Sequence, residues 1–372
     1  MSFEQQKYEY AGLCALLTNE KAATKENLAE RIKMCAHAGV LKHAISREHG
    51  GHGDTFVSLC ETYERLGEKL LDNGLILALN AHTWGTIFPL IAFGTDEQRA
   101  EYLEKLLNGH YIGAQAMTEP DIGSDVSSMK TYAKKVDGGY VLNGRKKYIT
   151  NAPIADLIVV YARDGENFSA YLVRSTDSGV KTAGLNMDGF CSSAIGEVIL
   201  EDCFVQDSNM LGKNGAGMSI LQKTLELERA FIFPGIVGAM KKHFEIVISR
   251  THERKSRDKS LIKNQAVSHK IAEMSLMLET IRLWVYKCAK MKDENHKINL
   301  VSSYVKLCAS EFCLKYYLDV VQIFGAAGLD GHYRFSQSVL DALAGRLMSG
   351  TSEIQKNIIS ALIGSGRRFL PI

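Results

Sequence analysis

The sequence predicts an α+β multidomain fold: an N-terminal helical domain, a middle β-barrel or sandwich domain and a C-terminal four-helix bundle. Hydrophobic spacing is the first observation. It runs at three and four residues to about residue 109, alternates from about 111 to 205, and returns to the helical period from about 215 to 364. Length is the second, because 372 residues exceed one ordinary core at roughly 150 residues per domain. Composition is the third: 46% apolar and 23% charged residues describe a globular chain, not a disordered one. The resulting domains are 1–110, 111–211 and 212–372.

In the N-terminal part, Leu59, Tyr63, Leu66 and Leu70 mark one face of a helix. Pro89 falls in an apolar stretch, where it kinks or starts a helix. His49-Gly50-Gly51-His52-Gly53 reads as a glycine turn between helices, in preference to a metal site. In the middle, Lys130 to Val136 is a strand, Asp137-Gly138-Gly139 a tight turn, and Tyr140-Val141-Leu142 the return strand. Leu157 to Ala162 and Gly196 to Leu200 are further strands. Long helical segments follow from Ser219 to Arg250, interrupted near Pro234, and from Gln265 to Met291, and they suit a bundle of about four helices.

Charge and cysteine usage narrow the function. Lys plus Arg total 44 against 42 acids, so no basic field for nucleic acid exists. No uninterrupted apolar run approaches the roughly 18 residues of a membrane span, and Met1 to Gln6 lacks a leader pattern, so a cytoplasmic protein is expected. Cysteines at 14, 35, 60, 191, 203, 288, 308 and 313 form no Cys-x-x-Cys, which points to inert buried thiols in a reducing compartment and no metal.

Three segments make little sense as packing alone. Met117-Thr118-Glu119-Pro120-Asp121-Ile122-Gly123-Ser124-Asp125 leaves a strand, turns at proline and glycine, and offers hydroxyls at Thr118 and Ser124 to a polar ring edge or an anion. Taken by itself, the segment is better explained as an ordinary strand-to-strand loop. In Asn143-Gly144-Arg145-Lys146-Lys147-Tyr148-Ile149-Thr150-Asn151, Asn-Gly reads as a turn, and alternation puts Tyr148 and Thr150 on one face, as a flat heterocycle would need. A surface cross-strand pair is the plainer alternative. Gly350-Thr351-Ser352-Glu353-Ile354-Gln355 precedes an apolar helical run, with Ser352 and Gln355 spaced as a capping box. A helix start of this kind attracts a diphosphate.

Taken together, in this order and spacing, the three segments resemble motifs of the acyl-CoA dehydrogenase family. Asp202-Cys203-Phe204-Val205 with Met210-Leu211-Gly212 and Gly215-Ala216-Gly217 is similar to the family's link into its C-terminal bundle, and Glu253-Arg254-Lys255-Ser256 and Val321-Gln322-Ile323-Phe324-Gly325 are similar to two more motifs. The resemblance implies a flavoprotein that binds FAD and oxidises an acyl thioester by passing hydride to flavin N5. Met117, Thr118 and Ser124 then match positions around the flavin ring, Tyr148 stands where the family usually has tryptophan, and Ile149 and Thr150 lie beside it. Thr351, Ser352 and Glu353 match positions on the diphosphate and ribose. Arg254, Ser256, Asn264, Gln265, Gln322, Ile323, Phe324, Gly325 and Ala326 match those that complete the flavin of a second subunit, implying a homodimer or homotetramer. Ser124, Arg229 and Gly350 match substrate-side positions.

The pattern breaks at the base. The family usually places a glutamate immediately before the Gly-Thr of its third motif, and this chain has Ser349 there. A minority carries the base directly before an arginine on the first long helix of the bundle, which Glu228 matches in Leu225-Glu226-Leu227-Glu228-Arg229. Glu228 is therefore the expected base, its alternative role being a surface ion pair. Arg257-Asp258 replaces the usual Phe-Gly, and Leu340 replaces an arginine before Asp341. These departures open several readings. One is a conventional acyl-CoA substrate. Another is a hydroxy-, amino- or prolyl-acyl group on a carrier protein in polyketide or nonribosomal peptide biosynthesis. A flavin monooxygenase and a noncatalytic flavoprotein subunit remain further alternatives. Either enzyme reading needs an electron-transfer partner or oxygen.

Overall fold

The computed structural model of the protein describes residues 24–364 together with Gly12, Leu13, Ala15 and Leu17. Cys14 lies outside the described residues. Helices run in the order α1 (Leu28–His37), α2 (Phe56–Leu70), α3 (Asn73–His82), α4 (Phe88–Phe93), α5 (Asp96–Leu107), α6 (Gly217–Phe231), α7 (Phe233–Glu253), α8 (Gln265–Asp293), α9 (Asn299–Phe324), α10 (Phe335–Gly345) and α11 (Ser352–Gly364). Between α5 and α6 lie β1 (Gly113–Ala116), β2 (Tyr132–Val136), β3 (Gly139–Thr150), β4 (Leu157–Asp164), β5 (Asn167–Arg174), β6 (Val180–Gly184), β7 (Ile195–Gln206) and β8 (Met210–Leu211). A hairpin of β9 (Lys255–Ser256) and β10 (Lys259–Ser260) follows α7. The helical, β, helical order read from periodicity is the order the chain adopts.

The chain forms two compact units, one of residues 1–54, 77–187 and 191–228, the other of 55–76, 188–190 and 229–372. In the first unit, all eight strands join one sheet in the order β6-β7-β3-β2-β4-β5-β8, with β1 pairing parallel to β4 off that path. Alternate residues of β3, β4, β5 and β7 bury one apolar layer that includes Leu142, Ile158, Val160, Tyr171, Val173, Val198 and Val205. His82, fully buried, ties α3 to the sheet. Its Nδ1 accepts from the Gly113 amide at 2.7 Å and its Nε2 donates to the Leu106 carbonyl at 3.0 Å. Burial pushes its pKa down to about 4, so the ring is neutral. Pro89 starts α4 directly after a π-turn at Thr83–Ile87, as a residue that cannot donate a backbone hydrogen bond must. From Asn73 to Phe93 the chain is apolar enough to cross a membrane by length and composition, with mean hydropathy 1.4, yet 78% of that window is buried inside the protein.

In the second unit, α2 packs against α7 and α8, and α9 packs against α7, α8, α10 and α11. Glycine sets the α2–α7 approach. A β-carbon on Gly67 would lie 1.7 Å from the Gly235 carbonyl oxygen, and one on Gly238 would lie 1.8 Å from that of Glu64. Below this contact, buried Glu64 accepts from Arg282 Nε at 3.0 Å and from the Tyr286 hydroxyl at 2.6 Å. The expected interruption near Pro234 is a break at Ile232, with Pro234 in the first turn of α7.

Candidate functional site

The first two motifs meet in the first unit, through an ion pair that the sequence reading missed. Glu119 and Lys146 are both buried, with Lys146 Nζ 3.0 Å from Glu119 Oε1. Glu119 also accepts from the Lys130 and Thr131 amides at 2.8 Å and from the Thr131 hydroxyl at 2.5 Å. Burial opposes its ionisation, but Thr131, the Lys130 amide and Lys146 together hold it below the usual carboxylate range. Desolvation lowers Lys146 to about 8. Lys146 Nζ also donates to the Met117 carbonyl at 3.0 Å, and the Lys147 amide to the Thr118 carbonyl at 2.9 Å. Met117 and Thr118 are thus fixed against β3. An acid beside the proline of one motif and a lysine two residues before the tyrosine of the other were the available signal.

Two local readings of β3 need correction. Asn143-Gly144 is not a turn: β3 runs unbroken from Gly139 to Thr150, and the pairing with β7 slips at Leu142/Gly144. Glycine is needed there because a β-carbon would stand 2.4 Å from Thr131 Oγ1. The register slips again at Lys147/Ile149, leaving Tyr148 as the extra residue, at φ 63° and half exposed. Simple alternation therefore does not set the relation of Tyr148 to Thr150; the bulge re-aims the tyrosine ring. Asn151, also at positive φ and buried, closes the strand by donating to the Ala78 and Gly113 carbonyls at 2.9 and 3.1 Å. Ser124 is exposed, and Thr118 and Thr150 are partly exposed.

In the second unit, the expected capping box is displaced by one residue. Helix α11 begins at Ser352, so Thr351 is the cap and accepts from the Ile354 amide at 3.3 Å. The Ser352 hydroxyl instead donates to Glu311 at 2.6 Å, and Gln355 Nε2 donates to the Ser349 and Gly350 carbonyls at 3.3 and 2.9 Å. Ser349 and Gly350 both hold positive φ, 52° and 85°. Glu353 is exposed beside this turn and Arg229 is partly exposed. Elsewhere in the unit, Arg254 Nη1 donates to the Phe324 carbonyl at 3.3 Å, bringing Arg254 and Ser256 to the Gln322–Ala326 turn. Gln322, Gly325, Ala326, Asn264 and Gln265 are exposed there. Ile323 and Phe324 are core side chains, so only their backbone can meet a ligand. Arg257 and Asp258 form the tip of the β9–β10 hairpin, both at positive φ.

Glu228, at the end of the first unit's share of α6, is half-buried. None of the seven described cysteines is in a disulfide, and Cys191 is exposed and Cys308 partly so, contrary to the expectation of uniformly buried thiols; Cys191 sits in the irregular stretch before β7.

Each unit by itself carries groups that suit part of a dinucleotide. A half-exposed ring on a bulge matches a flat heterocycle, a hydroxyl-capped helix start matches phosphate oxygens, and an arginine beside bare backbone matches a diphosphate. Profiles of the acyl-CoA dehydrogenase N-terminal, middle and C-terminal domains match residues 15–110, 114–203 and 215–364. The chain belongs to the acyl-CoA dehydrogenase family. With membership come FAD as cofactor and dehydrogenation of an acyl thioester as the reaction. An L-prolyl-[peptidyl-carrier protein] dehydrogenase of Pseudomonas fluorescens is 33% identical over 96% of this chain and 98% of its own. Among solved structures, the prolyl acyl carrier protein oxidase AnaB superposes with TM-score 0.90 at 32% identity, covering 98% of this chain and 100% of that one. PigA, solved with FAD and proline, gives TM-score 0.90 at 29% identity over 98% and 99%.

Proposed function

We propose that this acyl-CoA dehydrogenase family member oxidises an L-prolyl group held as a thioester on a carrier protein, with Glu228 as the base. The Pseudomonas fluorescens relative carries this reading, since its name specifies prolyl and carrier and its match runs nearly end to end. The absence of an acid at Ser349 and the Glu228-Arg229 pair support it.

The α-carbon of a thioester is a weak acid, so a carboxylate must be placed at it and partly desolvated. Glu228 takes that proton onto its carboxylate. FAD, when bound, would supply the two-electron acceptor that oxidation at the neighbouring ring carbon requires. Met117, Thr118, Ser124, Tyr148, Ile149 and Thr150 would hold its ring, and Thr351, Ser352 and Glu353 its diphosphate and ribose. Ser124, Arg229 and Gly350 would face the substrate. Arg254, Ser256, Asn264, Gln265 and the Gln322–Ala326 turn would face the cofactor of a second copy, in a homodimer or homotetramer. The absence of disulfides among the seven described cysteines supports a reducing compartment.

Anaerobic titration of the yellow protein tests the reading. L-prolyl-carrier thioester is expected to bleach the flavin absorbance, and isovaleryl-CoA is not. Bleaching by the CoA ester alone would remove the prolyl assignment.

A further inference from the structure

The turn that joins α10 to α11 in the second unit is held from its buried side. Lys306 and Glu311, both on α9, tie its two ends. Lys306 is fully buried, and its Nζ donates to the Arg346 carbonyl at 3.0 Å, an oxygen that also accepts from the Ser352 amide at 3.1 Å. Glu311 Oε1 accepts from Arg346 Nε at 2.9 Å and from the Ser352 hydroxyl at 2.6 Å. Backbone and side chains alike thus join Arg346 to Ser352, and Leu347 to Thr351 form a closed loop between them.

Gln355, fully buried in the first turn of α11, fixes the middle of that loop. Its Nε2 donates to the Ser349 and Gly350 carbonyls at 3.3 and 2.9 Å. Carbonyls only accept, so the amide must present its nitrogen to them. Its own oxygen is buried without a hydrogen-bond partner among the described residues, an unfavourable state that the two bonds offset. Gly350 makes room for the amide, since a β-carbon there would stand 2.8 Å from Nε2.

Peptide geometry turns this clamp into a direction. No peptide bond among the described residues is cis, and a trans unit points its N–H opposite to its C=O. The Ser349 carbonyl shares a plane with the Gly350 amide, and the Gly350 carbonyl with the Thr351 amide. Both carbonyls face the buried Gln355, so both amides face away from it. Gly350 and Thr351 are each partly exposed, and α11 begins at the next residue. Successive amides at a helix start suit an anionic or carbonyl oxygen.

We infer that Gln355 and Lys306 are positioning residues: by drawing the carbonyls of Arg346, Ser349 and Gly350 inward, they aim the Gly350 and Thr351 amides at oxygens of the substrate and the cofactor. The inference rests on the proposed placement of Gly350 at the substrate and Thr351 at the cofactor, and holds for any acyl group the enzyme takes.

Near-isosteric variants separate aiming from folding. Gln355→Glu keeps the size of the side chain but sets a carboxylate against the two carbonyls. Lys306→Met removes the donor, and exchanging a buried ammonium for an apolar side chain should leave the thermal midpoint at or above that of the parent. Flavin fluorescence on dilution of the holoenzyme reads FAD release, and bleaching by L-prolyl-carrier thioester reads the reaction. At about pH 8, Gln355→Glu is expected to weaken FAD binding and slow bleaching by about tenfold each, and Lys306→Met by about threefold or more. The Gln355→Glu defect, relative to the parent, should shrink as the pH falls, because a protonated carboxyl can donate to one carbonyl. Glu311→Gln keeps an acceptor for Arg346 and Ser352 and should stay within about threefold of the parent. Parent-like FAD binding and bleaching in both Gln355→Glu and Lys306→Met overturn the inference. So does a thermal midpoint of Lys306→Met that drops along with FAD affinity, because the lysine would then serve the fold alone. A parent enzyme that prolyl thioester does not bleach overturns the prolyl reading instead, and the FAD dissociation constants still decide the positioning role.

Discussion

Ser349 and Glu228 differ in chemistry as well as place. A serine hydroxyl cannot take a proton from a thioester α-carbon unaided, whereas a half-buried carboxylate can. Glu228→Gln is expected to slow substrate bleaching by about 10³-fold or more with FAD retained, and Ser349→Ala to leave it within about threefold; stopped-flow absorbance distinguishes them, and persistent bleaching in the glutamine variant removes Glu228 as base. Protonation of buried histidine is a second residue-scale consequence. His82 and His243 are both pushed by burial to about 4, below the ordinary 6.5. Their folded-state pKa values are depressed, so stability is complete above pH 6.5 and falls as the pH drops toward 4, where the unfolded chain takes up protons the fold refuses. The urea midpoint should therefore be flat above neutrality and decline across that window. At this scale, sequence was legible wherever a residue's own backbone decides, as with Pro89, which stands in the first turn of α4. It was not legible where a partner decides. Ser352 looks like a cap, but Glu311 claims its hydroxyl and Thr351 does the capping.

Among elements, the strands and long helices followed from periodicity, because half-buried strands and helices must repeat at 2 and 3.6 residues. Irregularities inside them did not. The two slips in β3 at Leu142/Gly144 and Lys147/Ile149 depend on the side chain of Thr131 and on pairing with β7, neither of which is local in sequence. The same holds for β1, whose four residues are too short to show a pattern. Glycines on α2 and α7 look like weak points of a helix, yet they are contact surfaces. Gly238→Ala would drive a methyl into the Glu64 carbonyl and should cost about 1–3 kcal/mol by overpacking, whereas Gly331→Ala, with open space around it, should cost little. Chemical denaturation of both variants measures the contrast; equal midpoints would show that the helices simply part.

At the level of the whole molecule, Leu340, Leu343 and Leu347 stand 39%, 44% and 67% exposed along α10 and the turn beyond it. Leucines in that number on one face support the proposed homo-oligomer. Leu343→Glu with Leu347→Glu should shift the mass in sedimentation toward one chain and weaken FAD retention, since a second copy is proposed to complete each cofactor site. A parent enzyme that sediments as a single chain would refute it. The membership of α2 in the second unit could not be read beforehand, because periodicity reports which face of a helix is apolar and not which distant segment will cover it.

That membership has a price in time. During synthesis α2 emerges long before α7, with the entire sheet and α6 made in between. Its bare glycine face and the apolar residues around it must wait, and a nascent chain holding such a surface invites chaperones and self-association.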